Sequence, residues 1–138
     1  MDIAIIIRQA PQECTIVQIC GELDVSTSAD LRERLLAVLN RCTLSRLILD
    51  LSKLKFMDSS GVAVLVNTER RASLLGRTVV LVAPQRPVLR VLQICGIDHF
   101  LPIFDDIDTA AAWPRIDLPG PVQSGDAPEA GDPDCAVT

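Results

Sequence analysis

Hydrophobic residues divide the first part of the chain into segments of strand and helix length. Residues 3–8 and 15–20 are rich in apolar and β-branched side chains and flank a short connecting segment, a spacing that predicts a β-hairpin. Residues 21–24 then predict a turn, and a hydroxyl side chain among residues 26–28 is expected to cap a following helix. That helix is predicted to be amphipathic and to pack on the sheet. Its apolar stripe contains Leu31, Leu35, Val38, Leu39 and Cys42.

The most informative stretch is a buried strand followed by a polar turn and a second helix. Residues 47–51 are apolar on both faces, which is typical of a strand that helices cover on both sides. A polar turn leads to Asp-Ser-Ser-Gly at residues 58–61, and a helix is expected from about residue 60 to residue 75, ending at Gly76. The unpaired N–H groups and positive dipole at this helix end would stabilise a phosphate on either hydroxyl. Capping of the helix by Asp58 or Ser59 explains the same residues without any phosphate.

The remainder of the chain continues the alternation of strands and helices. Residues 78–82 predict another strand, Pro87 falls in the first turn of a short helix that ends at Gly96, and residues 101–104 predict a final strand before a last helical turn. The order ββαβαβα(β)α indicates an α/β fold with a mainly parallel sheet of about four or five strands, an N-terminal hairpin and about four helices. Residues 1–113 are expected to form one domain, and residues 114–138, which are rich in Pro, Gly, Ala and Asp, a disordered tail.

Composition and charge exclude several classes of function. The formal net charge is -5 and the basic residues are scattered, which argues against direct binding to nucleic acid or to an anionic membrane. Apolar runs fall short of the roughly 20 residues that span a bilayer, and the N-terminus lacks the features of a signal peptide, so a cytoplasmic protein is expected. The five cysteines show no C-x-x-C spacing. They are expected to be small buried residues, with Cys135 a free thiol in the tail, and the sequence singles out no pair for a regulatory disulfide.

Signals of catalysis are weak. Residues 21–24 and 58–61 lack the spacing of a glycine-rich phosphate loop. The single histidine, His99, falls in a connection and is expected at the surface. Asp24, Asp50 and Asp58 could converge at one end of the sheet as metal ligands, although turns and helix caps explain each of them singly. No metal or cofactor is expected, and a small phosphatase-like or nucleotide-binding enzyme with Asp58 and Ser59 as catalytic residues is disfavoured.

Three blocks of the sequence resemble the STAS domains of bacterial anti-sigma factor antagonists. They are residues 21–24 with Thr27 and Leu31, residues 49–51 with 56–62, and residues 96–97 with 101–104. An isolated Asp-Ser-Ser-Gly would be a weak signal, but the three blocks keep the order of the family and extend over roughly residues 3–112. The resemblance implies a STAS fold and a binding switch rather than an enzyme.

The resemblance also implies partners and residue roles. In that family the unphosphorylated antagonist binds an anti-sigma factor, a small serine kinase, which then releases its sigma factor. The kinase phosphorylates the antagonist, and a phosphatase resets the cycle. Carried over, the acceptor is Ser59, with Ser60 the second choice. The residues expected to bind the partner are Asp24, Met57, Asp58, Ser59, Ser60, Gly61, Ala63 and Val64.

Two points of this interpretation have alternatives, namely the exposure of apolar residues near the turn and the presence of a phosphate cycle. Met57, Ala63 and Val64 are expected to expose apolar surface to the partner, although core packing explains Met57 and Val64 equally well. The same fold is compatible with an adaptor that binds without a phosphate cycle, such as a scaffold or the cytosolic subunit of a lipid ABC transporter. The intact Asp-Ser-Ser-Gly favours the switch, and the free protein is expected to be a monomer without membrane insertion.

Overall fold

The computed structural model describes residues 3–10, 13–41 and 45–113. They form five strands: β1 (Ile3–Ala10), β2 (Cys14–Leu23), β3 (Arg46–Met57), β4 (Thr78–Val82) and β5 (Ile103–Phe104). The helices are α1 (Val25–Arg41), α2 (Ser59–Leu74), α3 (Arg86–Ile94) and α4 (Ile107–Ala112), with a 3-10 turn at Ile97–His99. The predicted element order and N-terminal hairpin are confirmed. The predicted tail, Cys42 and Cys135 lie outside the described residues.

The strands form one sheet in the order β1-β2-β3-β4-β5. β1 pairs antiparallel with β2, and the other neighbours pair in parallel, which confirms the mainly parallel sheet. Because β2 and β3 run in the same direction, their carboxyl ends meet at one edge. Leu23 at the end of β2 is paired with Met57 at the end of β3. This pairing brings the starts of α1 and α2 to the same end of the sheet.

Helices cover the two faces of the sheet unequally. Leu31 and Leu35 of α1, together with Leu65 of α2 and Val88 of α3, join one large aliphatic core over one face. The short helix α4 covers part of the other face, where Ala110 packs in a smaller cluster with Cys14, Ile16, Ile48, Val80 and Val82. At the start of β3, Leu47 and Leu49 join the large core and the intervening Ile48 joins the smaller cluster, as the pleat of a strand requires. Within the described residues, no helix combines the length and apolar character needed to cross a membrane.

Arg46 connects the start of β3 to the end of α4. Its Nη1 donates hydrogen bonds to the carbonyl oxygens of Ala110 at 2.7 Å and Ala111 at 3.0 Å. Its guanidinium carbon lies 5.4 Å from the ring centroid of Trp113. A cation at a helix C-terminus compensates its partial negative charge, so this buried arginine helps to fix a helix too short to be stable alone.

β2 and β3 both extend beyond their predicted ends. The prediction of a turn at residues 21–24 is wrong, because β2 continues to Leu23 and only Asp24 forms a bend. Gly21 has a φ of 113° next to shifts in the pairing register with β3, so the strand passes an irregularity without ending. The predicted polar turn after residue 51 is wrong as well, since β3 continues to Met57.

The extra length of β3 has a simple cause. Leu54 and Met57 are buried, whereas the intervening Lys55 and Phe56 are exposed. This half of the strand is covered on one face only, and its polar outer residues give the sequence the composition of a turn.

The cysteines occupy different environments. Cys14 is buried and Cys20 is half-buried, but Cys95 is exposed at the end of α3, so the expectation of a buried thiol is wrong at that position. His99 is exposed, as expected for a surface residue.

Candidate functional site

Asp58 fixes the start of α2. Its side-chain Oδ1 accepts hydrogen bonds from the backbone N–H of Ser60 at 2.9 Å and of Gly61 at 3.4 Å, which makes it the N-cap of the helix. Its own N–H donates to the Leu23 carbonyl oxygen at 3.2 Å. The turn is therefore tied to the end of β2, and the capping role considered for Asp58 is confirmed.

The two serines of the turn have different environments. The Ser60 hydroxyl is half-buried and donates to Asp58 Oδ1 at 2.5 Å. Ser59 is exposed in the first turn of α2, and its hydroxyl makes no hydrogen bond with any residue that the structure describes. Of the two serines in this turn, Ser59 is therefore the one whose hydroxyl is both accessible and unengaged within the described chain.

Gly61 allows α2 to approach the sheet closely. A Cβ atom at this position would lie 2.7 Å from Leu23 Cγ and 2.8 Å from both Leu23 Cδ2 and Met57 Cγ. These distances are far below normal van der Waals contact, and both neighbours are buried. The glycine therefore sets the position of the turn against β2 and β3.

The apolar residues predicted near the turn divide into exposed and buried. Ala63 is exposed, but Met57 and Val64 are only 2% and 3% exposed and belong to the main core. The expectation that Met57 and Val64 present apolar surface is wrong, and core packing explains both residues.

Two exposed apolar residues at this end of the sheet were not identified from the sequence. Val25 is 78% exposed at the start of α1, and Phe56 is 45% exposed beside the end of β3. Phe56 lies between the exposed Lys55 and the buried Met57. Because successive residues of a strand point to opposite faces, the exposure of Phe56 could have been inferred from the burial of Met57 if β3 had been predicted to reach this point. Together with Ala63, these side chains supply apolar surface at the end of the sheet that carries Ser59.

Asp24 caps α1 in the way that Asp58 caps α2. Its Oδ1 accepts from the Ser26 N–H at 2.9 Å, the Ser26 hydroxyl at 2.6 Å and the Thr27 N–H at 3.2 Å. The predicted cap among residues 26–28 is therefore wrong, because the preceding aspartate accepts these bonds. Asp24 directly follows Leu23, whose carbonyl oxygen accepts the Asp58 N–H, so the two capping aspartates lie at the same end of the sheet.

Asp50 does not join the other two aspartates. It is buried along β3, seven residues before the end of the strand, where its carboxylate accepts from Gln18 Nε2 at 3.2 Å and the Ser52 N–H at 3.0 Å. At ~3.3 Å per residue it lies roughly 23 Å from the end of the strand at Met57. The convergence of three aspartates considered from the sequence is wrong, and among the described residues no three His, Cys, Asp or Glu side chains form a possible metal site.

Comparison with known proteins identifies the family. A model of the STAS domain matches residues 6–110. The chain belongs to the STAS-domain family. The STAS domain is 32% identical over 91 residues to an anti-sigma F factor antagonist from Paenibacillus polymyxa, an alignment that covers 66% of this chain and 78% of that protein. The resemblance to anti-sigma factor antagonists is thereby confirmed.

Solved structures share the fold. The anti-sigma factor antagonist SpoIIAA, unphosphorylated, superposes with a TM-score of 0.66 at 23% identity, covering 78% of this chain and 92% of that one. The phosphorylated form of this Bacillus protein gives 0.60 at 22%, covering 78% and 96%. A sulfate transporter family protein from Wolinella succinogenes gives 0.65 at 22%, covering 77% and 88%. Proteins with different roles therefore use this fold.

Removal of the Asp58 cap is expected to destabilise the STAS domain. Asp58→Ala removes the acceptor for two N–H groups and for the Ser60 hydroxyl, and should lower the free energy of unfolding by about 1–2 kcal/mol. Asp58→Asn is the matched control, because its side-chain oxygen still caps the helix. Urea denaturation measures both variants, and an equal loss in the two would contradict the capping role.

Asp24 gives the domain a defined pH dependence. The Ser26 hydroxyl, with the N–H groups of Ser26 and Thr27, lowers the pKa of Asp24 from its ordinary value of 3.8. Because the folded-state pKa is the lower one, the stabilising contribution is present above 3.8 and is lost as the pH falls through the folded-state pKa.

Ser26→Ala is therefore expected to raise the pKa of Asp24 towards 3.8, which an NMR titration of its carboxyl carbon measures. Ser28→Ala is the control, since the Ser28 hydroxyl donates to the Val25 carbonyl oxygen instead. An unchanged Asp24 titration in Ser26→Ala would show that the hydroxyl does not stabilise the carboxylate.

Proposed function

We propose that this STAS domain is an anti-sigma factor antagonist that phosphorylation of Ser59 switches off. The unphosphorylated protein binds an anti-sigma factor that is also a serine kinase, and the bound kinase releases its sigma factor. The kinase then phosphorylates Ser59, the complex dissociates, and a phosphatase restores the active form. The names of the relatives support this role, because one is an anti-sigma F factor antagonist and another has phosphorylated and unphosphorylated forms.

We choose Ser59 as the acceptor because its hydroxyl and that of Ser60 have different environments. Transfer of a phosphoryl group requires a hydroxyl that the kinase can reach and that is free to attack. The Ser59 side chain is exposed and unengaged within the described chain, whereas the Ser60 hydroxyl is half-buried and donates to Asp58 at 2.5 Å. Phosphorylation of Ser60 would first break a hydrogen bond to a charged group, which is worth roughly 1.5–3 kcal/mol.

A phosphate on Ser59 would act through charge and not through refolding. It adds about -1.5 to -2 charges at neutral pH, and the positive end of α2 stabilises that charge. The Asp58 carboxylate beside it already accepts the N–H groups of Ser60 and Gly61. The phosphate and the Asp58 carboxylate would then both face the partner. A partner whose surface fits the unmodified hydroxyl would have to remove water from both charged groups, which weakens binding.

The contact surface follows from exposure at the same end of the sheet. Ser59 and the apolar side chains of Val25, Phe56 and Ala63 are exposed there, and Asp24 supplies negative charge at the start of α1. Met57, Gly61 and Val64 are buried and pack beneath this surface in the core. Among the residues predicted to bind the partner, these three therefore position the turn, and the exposed residues make the contact.

Phosphate mapping tests the proposal. The full chain is incubated with ATP and each anti-sigma factor kinase of the source organism, and intact-mass spectrometry is followed by peptide mapping. One phosphate is expected on the wild type and on Ser60→Ala, and none on Ser59→Ala. Phosphate lost only in Ser60→Ala would overturn the assigned acceptor.

The same proposal gives the protein a cytoplasmic location and no enzymatic activity of its own. It requires no cofactor and no direct contact with DNA or RNA, since the sigma factor is released by competition. The constitutive adaptor is the competing function, and the fold of a sulfate transporter family protein is compatible with it. Stable binding to a partner that never phosphorylates the chain would favour the adaptor.

A further inference from the structure

An open groove of about 450 Å³ runs between α1 and α2 on the surface of the domain. The side chains that line it include Arg32, Glu33 and Leu36 of α1 and Arg70, Arg71 and Leu74 of α2. The basic residues are scattered along the sequence, but the fold brings these three arginines to one place.

The three arginines give this groove an excess of positive charge. All three are exposed, and their guanidinium groups make no hydrogen bond or ion pair with another residue that the structure describes. Asp30 of α1 pairs with Arg34 at 3.3 Å instead. Glu33 offsets part of the charge, as does Glu69, where burial raises the pKa and Arg70 opposes that rise. Positive charge remains in excess there, although the whole chain has a net charge of -5.

Two leucines place apolar surface among these charges. Leu74 is 81% exposed, and Leu36 is half-buried. A small inorganic anion would make no use of the leucines, and nucleotide bases bind best on aromatic side chains, whereas the apolar part of the described lining is aliphatic. A nucleic acid or an anionic membrane would extend beyond the groove over a chain of net negative charge. A short peptide segment with both acidic and aliphatic side chains matches the whole lining.

We propose that this groove binds an acidic segment of a partner protein. The carboxylates of the segment contact the three arginines, and its aliphatic side chains pack on the two leucines. Guanidinium groups hold carboxylates through two parallel hydrogen bonds, and complementary charge gives such a contact its specificity.

The groove is separate from the proposed phosphate acceptor. Arg70 lies eleven residues beyond Ser59 in α2, which is roughly 16 Å along the helix at ~1.5 Å per residue. A segment in the groove is therefore compatible with a switch and with a constitutive adaptor, and the inference does not rest on phosphorylation.

Fluorescence anisotropy with the full chain tests the proposal. The probe is a fluorescein-labelled peptide of glutamate with leucine at every fourth position, and the matched peptide has glutamine in place of glutamate. The wild type should bind the glutamate peptide at least about tenfold more tightly, because only its carboxylates pair with the arginines. Added NaCl should weaken that binding by screening the charges.

Matched arginine variants locate the binding site. Arg70→Ala combined with Arg71→Ala should weaken binding of the glutamate peptide roughly tenfold. Arg86→Ala combined with Arg90→Ala removes the same charge from exposed positions on α3, outside the groove, and should bind like the wild type. Thermal unfolding checks that both variants fold.

Methyl NMR spectra of the wild type give an independent readout. The glutamate peptide should shift the methyl resonances of Leu36 and Leu74 and leave those of Ile94, which is 75% exposed on α3, unchanged. Absence of binding, equal binding of the two peptides, or equal affinity of the two double variants would overturn the proposal. Arginine-dependent binding of ATP or of phosphatidylglycerol vesicles without binding of the acidic peptide would also overturn it, since the occupant would then belong to another class.

Discussion

Replacement of Ser59 by aspartate is expected to lower the affinity for the anti-sigma factor by roughly a hundredfold, because like charge and desolvation at an interface cost several kcal/mol. The substitution places a carboxylate beside Asp58 on the exposed first turn of α2. The fold should persist, because acidic groups at a helix N-terminus are stabilising. Isothermal titration calorimetry with the cognate anti-sigma factor measures the effect.

Two controls separate charge from disturbance of the helix. Ser59→Ala removes the hydroxyl without adding charge and should bind nearly as well as the wild type. Ser73→Asp adds the same charge to an exposed position in the last turn of α2, remote from the proposed surface, and should also bind normally. Undiminished affinity of Ser59→Asp would show that charge at this position does not control binding.

Gly61→Ala is expected to destabilise the domain by about 1–3 kcal/mol, the usual cost of overpacking a core. The new methyl group would lie within 2.8 Å of side-chain carbons of Leu23 and Met57, and both side chains are buried. An alanine in a helix is otherwise favoured over glycine by up to ~1 kcal/mol, so a loss of stability indicates the steric effect. The midpoint and slope of urea denaturation give the change.

A double-mutant cycle identifies the cause. Leu23→Ala is itself destabilising, but it removes the atoms that the new Cβ would meet. The loss caused by Gly61→Ala should therefore shrink in the Leu23→Ala background. An equal loss of unfolding free energy from Gly61→Ala in both backgrounds would show that contact with Leu23 is not its cause.

The order of elements could be predicted because each kind of element has its own pattern. The aliphatic run of β3 and the helical spacing of Leu31, Leu35 and Leu39 each depend on burial, which hydrophobicity reports directly. The glycine at position 76 has a φ of 73° just after α2, where the sequence predicts the end of that helix. Local chemistry was sufficient for these features.

The ends of β2 and β3 depended on tertiary packing. Phe56 and Lys55 are exposed on a strand whose Leu54 and Met57 are buried. A half-covered strand and a polar turn have similar compositions, and only the neighbouring strand distinguishes them.

The sequence left open whether Val64 is exposed or packs in the core. Its burial, together with that of Gly61, Val62 and Leu65, shows that the first turns of α2 bury more than one narrow stripe.

The site could be located from the sequence, but its internal order could not. Asp58, Ser59, Ser60 and Gly61 are consecutive residues, so any fold keeps them together. The hydrogen bond that engages the Ser60 hydroxyl and leaves the Ser59 hydroxyl unengaged depends on the rotation of the Asp58 side chain at the cap. Either serine satisfies the sequence pattern, and only the geometry distinguishes them.

The most direct test of the switch compares one protein before and after dephosphorylation. Wild-type chain phosphorylated at Ser59 is titrated with the anti-sigma factor, and the same sample is titrated again after treatment with a serine phosphatase. Weak binding that returns to the affinity of the unmodified protein is the predicted result. Equal affinities before and after treatment would contradict the proposed function.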